Sequence, residues 1–504
     1  MKSSFATIVI TASLLLPFGG GAETFVVTPG SLGRSVTIGR EVSEIILTGA
    51  VNAADLAYIN TPGRRLDLLD LSGVTVEAYS GAPYTAHITH APAATLPAYS
   101  LSGLDAAKVI LPPSVTAIGD GALMGSSIQT LAIPPGVTSI GASAFAGCTS
   151  LRSVIIPATV TGCGRGVLRD CTDLRQLYWF SSADLPDHAA AGCTRLSEAY
   201  ISQVTAIGTG AFEGDTALGA ITFSSRLTHL GATCFAGSGL TSVDLSHCSS
   251  LKEIGAYAFS GCPDLGSVRL PRSLGHMGEG VFFNSSSLRS VVMPRSLEAL
   301  PALTFCGAGT LAEGSGLIPD GTETVGTLAL AGLGGISAVT LPSSLRHIAD
   351  GAFEGWLGLS EIDATPLPVV PTLGSDVWAG VAADDTRLKV RDTLADLFRA
   401  APQWREFDIV SGESGLTHLA PDTPAATPLE VRFDGDILIV SSTVPMTSAI
   451  LAEPDGTVIA TLSTPEGTTE YRIDTSARQG RIYILGADML SGGRASAKLI
   501  RPQR

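Results

Sequence analysis

Residues 131–151 read LAIPPGVTSIGASAFAGCTSL. The phrase returns as VRLPRSLGHMGEGVFFNSSSL at 268–288 and as VTLPSSLRHIADGAFEGWLGL at 339–359. The shared pattern runs from an apolar strand through Pro, Val or Leu, Ile-Gly, Ala-Phe and Gly-Cys to a closing Leu, with Met277, Val281 and Asn284-Ser285 standing in within the second copy and Ala349 and Trp356 within the third. The closing Leu or Ile falls at Ile128, Leu151, Leu174, Leu196, Leu218, Leu240, Leu265, Leu288, Leu311, Ile336 and Leu359, at intervals of 22 to 25 residues. An aromatic column keeps the same phase at Phe145, Phe212, Phe235, Phe259, Phe282, Phe305 and Phe353. Two apolar columns in one phase indicate a solenoid. A single turn cannot bury its own apolar edge, whereas stacked turns bury it in common.

Within a turn the strand can be phased. The third residue after the closing Leu is Val154, Leu177, Ile221, Val243, Val268, Val291 or Val339, and the fifth is Ile156, Trp179, Ile201, Phe223, Leu245, Leu270, Met293 or Leu341. Residues two apart on a strand share a face, so both columns are expected to point inward. The fourth residue then points out, at Ala132, Ile155, Tyr178, Tyr200, Thr222, Asp244, Arg269, Val292 and Thr340. Pro after the fifth residue ends the strand, because it has no N–H for the ladder. Gly after Ile suits a corner that a Cβ would crowd.

The chain has 504 residues, 45% of them hydrophobic and 15% charged, which is the composition of an ordered protein. Its net charge of -15 argues against nucleic acid as the main partner. No segment after the first twenty residues is apolar for long enough to span a bilayer. The start, MKSSFATIVITASLLLPFGGGAET, has Lys2, an apolar run from about Phe5 to Pro17, then small residues. That order reads as a secretory signal with cleavage after Ala22; the other reading is an uncleaved anchor, for which the run is short.

The ends differ from the middle. EIILTGAVNAADLAYI (44–59) passes from a strand into a short helix, and LDLLDLSGVTVEAY (66–79) is another strand and turn. These degenerate turns fit a cap over the exposed end of the core. LKVRDTLADLFRAAPQWREFDIV (388–410) breaks the period and reads as a second cap: a strand, a helix with Leu394, Leu397 and Phe398 on one side, and a closing segment with Trp404, Phe407 and Ile409. Residues 411–428 are rich in Ser, Thr, Pro and Ala and read as a linker. From Leu429 the pattern becomes short alternating strands, with Asp434-Gly435 and Asp455-Gly456 as hairpin turns, as in a small β-sandwich. The expected organisation is therefore a signal (1–22), a cap with degenerate repeats (23–106), a solenoid (107–387), a second cap (388–410), a linker (411–428) and a β-sandwich (429–504).

The repeat block resembles the BspA-like leucine-rich repeat family, whose pattern IPxxVxxIGxxAFxGCxxL it follows from about Val109 to Val410. The last domain is similar to the C-terminal sorting domains of type IX secretion substrates, through AILAEPDGTVIATL and GRIYIL. Members of the repeat family are mostly exported or surface-displayed bacterial proteins implicated in adhesion. The resemblance thus implies a secreted or outer-surface protein whose solenoid engages a protein or glycan on host or neighbouring cells. It carries over no catalytic residue.

The residues themselves point to no metal, cofactor or catalytic centre. No GxSxG elbow, P-loop or dinucleotide fingerprint is present. His229, His276 and His347 share one column but are two and three turns apart, roughly 10 and 15 Å, too far to share a zinc ion. His87 and His90 are three apart in a strand-like stretch, which places them on opposite faces. Cys148, Cys171, Cys193 and Cys262 occupy one Gly-Cys slot. They read as a buried thiol ladder, although neighbouring turns would permit a bridge. Ile155, Tyr178 and Tyr200 hold the outward position in three consecutive turns. They form the candidate binding stripe, against the alternative of ordinary cross-strand support. Trp179 beside them belongs to the core by its phase.

The expectation is an exported binding protein without enzymatic activity. Its rivals are a structural spacer or periplasmic scaffold, and a glycan-active enzyme needing paired carboxylates, for which Asp384-Asp385 has no visible partner.

Overall fold

The computed structural model describes residues 22–411 and 430–500, apart from 86–87, 296, 312–313, 315, 435–436, 453–457, 475–481 and 490–493. The chain divides into two compact units at residues 414 and 415. The leader and the linker expected from the sequence lie outside the described residues.

The first unit is a parallel β-solenoid with two short strands in each regular turn. One sheet takes the apolar strand that follows the closing Leu. It runs through eight strands from Ala22–Val27 to Glu198–Tyr200, and resumes as Ser242–Asp244, Ser267–Arg269 and Ser290–Val292 and again from Ala338–Thr340 to Asp408–Ser411. The second sheet takes the two residues that end at Ile-Gly, such as Ser139–Ile140 or Glu253–Ile254. A backbone ladder closes the third side, where Phe145 N–H donates to Val167 O at 3.0 Å and Phe235 N–H to Ala258 O at 2.9 Å. The stretch 314–335 supplies Thr324–Val325 to the second sheet, and among the described residues no strand of the first sheet lies between Ser290–Val292 and Ala338–Thr340.

Strand alternation places the columns as the phasing requires. Val154, Ile156, Leu177 and Trp179 are buried and Ile155 is half exposed. Every closing Leu or Ile from Ile128 to Leu359 is in the core. The aromatic column stacks from turn to turn, with ring centroids 5.3 Å apart for Phe212–Phe235, 5.5 Å for Phe235–Phe259 and 5.4 Å for Phe282–Phe305. The corner glycines are close against the preceding turn: a Cβ on Gly141 would lie 2.5 Å from Asp120 N, and one on Gly164 2.2 Å from Ala142 N. Backbone cannot yield at that distance, so only hydrogen fits there.

All eight cysteines are free thiols. The Gly-Cys slot does more than fill space, because its side chains donate to carbonyls one turn away. Cys148 Sγ–H reaches Leu123 O, Cys171 reaches Phe145 O, Cys193 reaches Leu168 O and Cys262 reaches Phe235 O, each at 3.2 Å, and Ser285 Oγ reaches Phe259 O at 2.8 Å. Asp215 occupies the same slot, fully buried. Its Oδ1 accepts the Cys193 N–H at 2.8 Å, but Oδ2 has no partner. Burial pushes its carboxyl well above the usual carboxylate range.

At the N-terminal end, helix Ala53–Ile59 covers the core with a capping box, in which Asn52 Oδ1 accepts from Ala54 and Asp55 N–H and Asp55 Oδ2 accepts from Asn52 N–H. The buried Asp55 carboxylate also accepts from Gly30 and Leu32 N–H, tying the first loop to the helix. An antiparallel hairpin, Tyr79–Thr85 with Ile88–Ala91, stands apart from the parallel stack and departs from the expected turn. At the other end Trp404 and Phe398 pack edge-on at 5.3 Å, and Trp378 lies 4.4 Å from Phe353, extending the aromatic column into the cap. Leu394 and Phe398 are buried as expected. Leu397 is 56% exposed, because the short helix Ala395–Ala400 turns its flank outward there.

The second unit is antiparallel throughout. Ile437–Ala452 pairs with Glu430–Asp434, Val458–Asp474 and Ile482–Met489, and the last of these pairs with Arg494–Ile500. These pairings join the five strands in one sheet, where the sequence suggested a sandwich, and the register of the long strand shifts between Ser441 and Met446. Leu438, Val440, Ala449 and Leu451 are buried. Both expected hairpins are paired, while Gly435 and the Asp455-Gly456 turn lie outside the described residues.

Candidate functional site

The solenoid brings Ile155, Tyr178 and Tyr200 into one row. Ile155 pairs with Tyr178 and Tyr178 with Tyr200 in the parallel ladder, and a single bridge continues to Thr222. The Tyr178 and Tyr200 rings stack at 4.9 Å with planes 2° apart. Ile155 and Tyr200 are each 50% exposed, whereas Tyr178 is half-buried between its neighbours. A fourth member, Phe180, is also 50% exposed and stacks 6.2 Å from Tyr178.

Sequence phasing missed Phe180, although a signal was present. It stands where Pro157 ends the preceding strand, and its N–H donates to Ile156 O at 2.9 Å, a bond that proline cannot make. Trp179 faces the core, 1% exposed, with its indole N–H on Ala183 O at 3.0 Å.

Polar groups border the row. Gln176 Nε2 donates to Glu198 Oε2 at 2.9 Å, and the Glu198 charge beside Tyr200 raises the phenol above its ordinary value. Where the same strands begin, Asp173 gathers Arg152, Arg175 and Arg195. The Arg195 hydrogen bond, with the other two arginines, holds the Asp173 carboxyl below the usual range.

The other candidates do not assemble. His229 and His276 are exposed and flank Glu253 on three adjacent strands, while His347 sits farther along beside Thr372. Among the described residues no group of three His, Cys, Asp or Glu side chains gathers as metal ligands. His90 is exposed in the hairpin, and His87 lies outside the described residues. Asp384 and Asp385 are exposed in a 3-10 turn. Two shallow depressions lie on the first unit: one of about 360 Å³ beside Tyr84 and His90, lined by the single carboxylate Asp120, and one of about 410 Å³ beside Gln403, lined by Asp376 and Glu406. Among the described residues no helix is long and apolar enough to cross a membrane.

A parallel solenoid with an in-register leucine core and an open outer face defines a leucine-rich repeat scaffold. The chain matches the BspA type leucine rich repeat region family over residues 78–197, 183–312 and 315–375, more than half its length, and it belongs to that family. A leucine-rich repeat protein from Bacteroides ovatus shares the fold at 20% identity and a TM-score of 0.52, over 68% of this chain and 91% of that one. A leucine rich cell surface protein from Faecalibacterium prausnitzii aligns at 22% identity and a TM-score of 0.38, over 59% of this chain and 88% of that one. The pneumococcal vaccine antigen PcpA aligns at 15% identity and a TM-score of 0.39, over 78% and 90%. No curated protein gives a significant match.

Proposed function

We propose that the chain is an exported, surface-displayed repeat protein that binds a macromolecular partner through the outer face of its first sheet and performs no catalysis. The C-terminal β unit routes or attaches it. The observation that carries this reading is the exposed row of Ile155, Tyr178, Phe180 and Tyr200, three of them half in water on a rigid sheet. Exposed aromatic residues on a preformed surface lose little conformational freedom on binding, which favours them in interfaces. Family membership and the leader-like start at 1–22 support export.

Two measurements test it. Surface proteolysis of intact producing cells compares the full chain with a form truncated after Pro428. Shaving of the full chain, with retention of the truncated one inside, is expected. Protection of both would place the protein in the periplasm and end the adhesin reading. Binding of labelled full-length protein to neighbouring or host cells is expected to fall in Tyr178→Ser/Tyr200→Ser. Undiminished binding would move the contact elsewhere, and binding by the C-terminal unit alone would make the solenoid a spacer.

A further inference from the structure

The row of aromatic residues has a charged counterpart on the same turns. Arg152 and Arg175 directly follow closing leucines and Arg195 directly precedes one, so stacking brings the three together around Asp173. Three guanidinium groups against Asp173 and the neighbouring Glu198 leave one net positive charge in a chain of net charge -15. The Arg side chains are 62%, 60% and 64% exposed. Arg195 hydrogen-bonds Asp173, but Arg152 Nε and Arg175 Nη2 stand 3.7 and 3.8 Å from it, in ionic range and beyond a hydrogen bond. Their planar forks therefore remain open for a carboxylate.

The apolar half lies close by. Arg175 and Arg152 lie just before the strands of Tyr178 and Ile155, outside the strand alternation, each three residues and at most about 10 Å of chain away. The geometry of the aromatic residues narrows the ligand. Tyr178 and Tyr200 cover each other's faces at 4.9 Å, and Phe180 stacks on Tyr178 as well. Most of the ring face that a sugar would stack on is thus withdrawn. Ring edges, one face each of Tyr200 and Phe180 and the Ile155 side chain remain, and ring edges carry the positive end of the quadrupole.

From this juxtaposition we propose that the face spanning Arg152, Arg175, Ile155, Tyr178, Phe180 and Tyr200 binds an extended acidic polypeptide segment, with its carboxylates on the two open arginine forks and an apolar or aromatic side chain over the row. The proposal rests on the reading of this sheet face as the binding surface and adds the chemistry of its partner. Arginine clusters complementary to an acidic chain contribute orientation and encounter rate, and the aromatic row contributes the desolvated anchor.

The test uses full-length protein and immobilised random glutamate–tyrosine copolymer, with poly-L-glutamate and polygalacturonate as separate arms. Binding to the copolymer is expected to exceed binding to poly-L-glutamate and to weaken as salt is raised. It is expected to fall about tenfold or more in Arg152→Gln/Arg175→Gln and likewise in Tyr178→Ser/Tyr200→Ser. Arg152→Lys/Arg175→Lys retains charge and loses the fork, so most of the loss is expected there too, and an unchanged melting curve shows the fold intact. Polygalacturonate binding as well as the copolymer overturns the peptide assignment in favour of an acidic glycan. Wild-type copolymer affinity in the arginine variants also overturns it. The cell-binding assay separates the two levels. Loss in the tyrosine pair with full binding by the arginine pair sinks the acidic partner and leaves the surface standing, whereas full binding by both sinks the two together.

Discussion

Replacing Asp215 by Asn should stabilise this protein at neutral pH, and by an amount that depends on pH. The slot holding Asp215 is filled elsewhere by thiols and a hydroxyl that donate to a carbonyl 25 to 27 residues back. For Asp215 that position is Ala190, and the carboxyl's Oδ2 has no partner. A protonated Oδ2 provides the missing donor; an ionised one is a buried charge without a cation. The folded-state pKa is raised well above the ordinary value by burial. The native state therefore holds a proton that the unfolded chain releases above pH ~3.9. The protein is most stable with respect to this group below that pH, and loses about 1.4 kcal/mol per pH unit as pH rises towards the folded pKa. Asn keeps the shape, accepts the Cys193 N–H through Oδ1 and donates through Nδ2 without titrating. Urea unfolding followed by circular dichroism at pH 5, 6 and 7 is the assay. The variant's advantage should widen from pH 5 to pH 7, at no more than that slope. Asp215→Ser, which copies the hydroxyl that Ser285 places in this slot, should flatten the pH dependence in the same way. Parallel stability–pH curves for wild type and Asn would refute the reasoning, because they would mean that Asp215 is ionised and satisfied in the fold.

Three further outcomes are expected. Phe235→Ala removes a fully buried ring stacked between Phe212 and Phe259 and should cost about 3–5 kcal/mol; because turns contact only their neighbours, hydrogen exchange should accelerate most in the turns on either side. Asp55→Ala deletes the acceptor for Gly30, Leu32 and Asn52 N–H and should cost about 3 kcal/mol, read as lost exchange protection across 44–59. Thiol labelling of the native protein at pH 8 should begin with partly exposed Cys306 and lag at Cys163, whose thiol burial pushes up to about 12. The other six should react only on unfolding, and prompt labelling of Cys171 would break the buried ladder.

Much of the fold was legible because the repeat states each rule many times. The inward third and fifth columns, the outward fourth and the corner glycines follow from alternation and from the volume of a Cβ, and all four hold in the structure. The candidate row at Ile155, Tyr178 and Tyr200 was legible for the same reason. Phe180 was missed because phasing stops at the strand's end, and its one signal was that it stands where the preceding turn has Pro157. The hairpin at 79–91 pairs antiparallel, outside the period, and carries no copy elsewhere with which to compare it. Leu397 fitted an apolar helix side, but a single short helix leaves its rotation to the cap it packs on.

The sequence by itself determined the architecture, since 22-to-25-residue spacing and alternating burial admit one way of stacking the turns. Only the tertiary structure decided which side chains from different turns meet. Asp173 with three arginines, Tyr178 on Tyr200 and an unpartnered Asp215 Oδ2 all depend on strand register and side-chain direction. The physical reason is range: periodicity reports how each residue sits in its own turn, whereas a surface or a buried charge is built from residues about 22 apart whose separation is set by the ~4.8 Å between stacked strands.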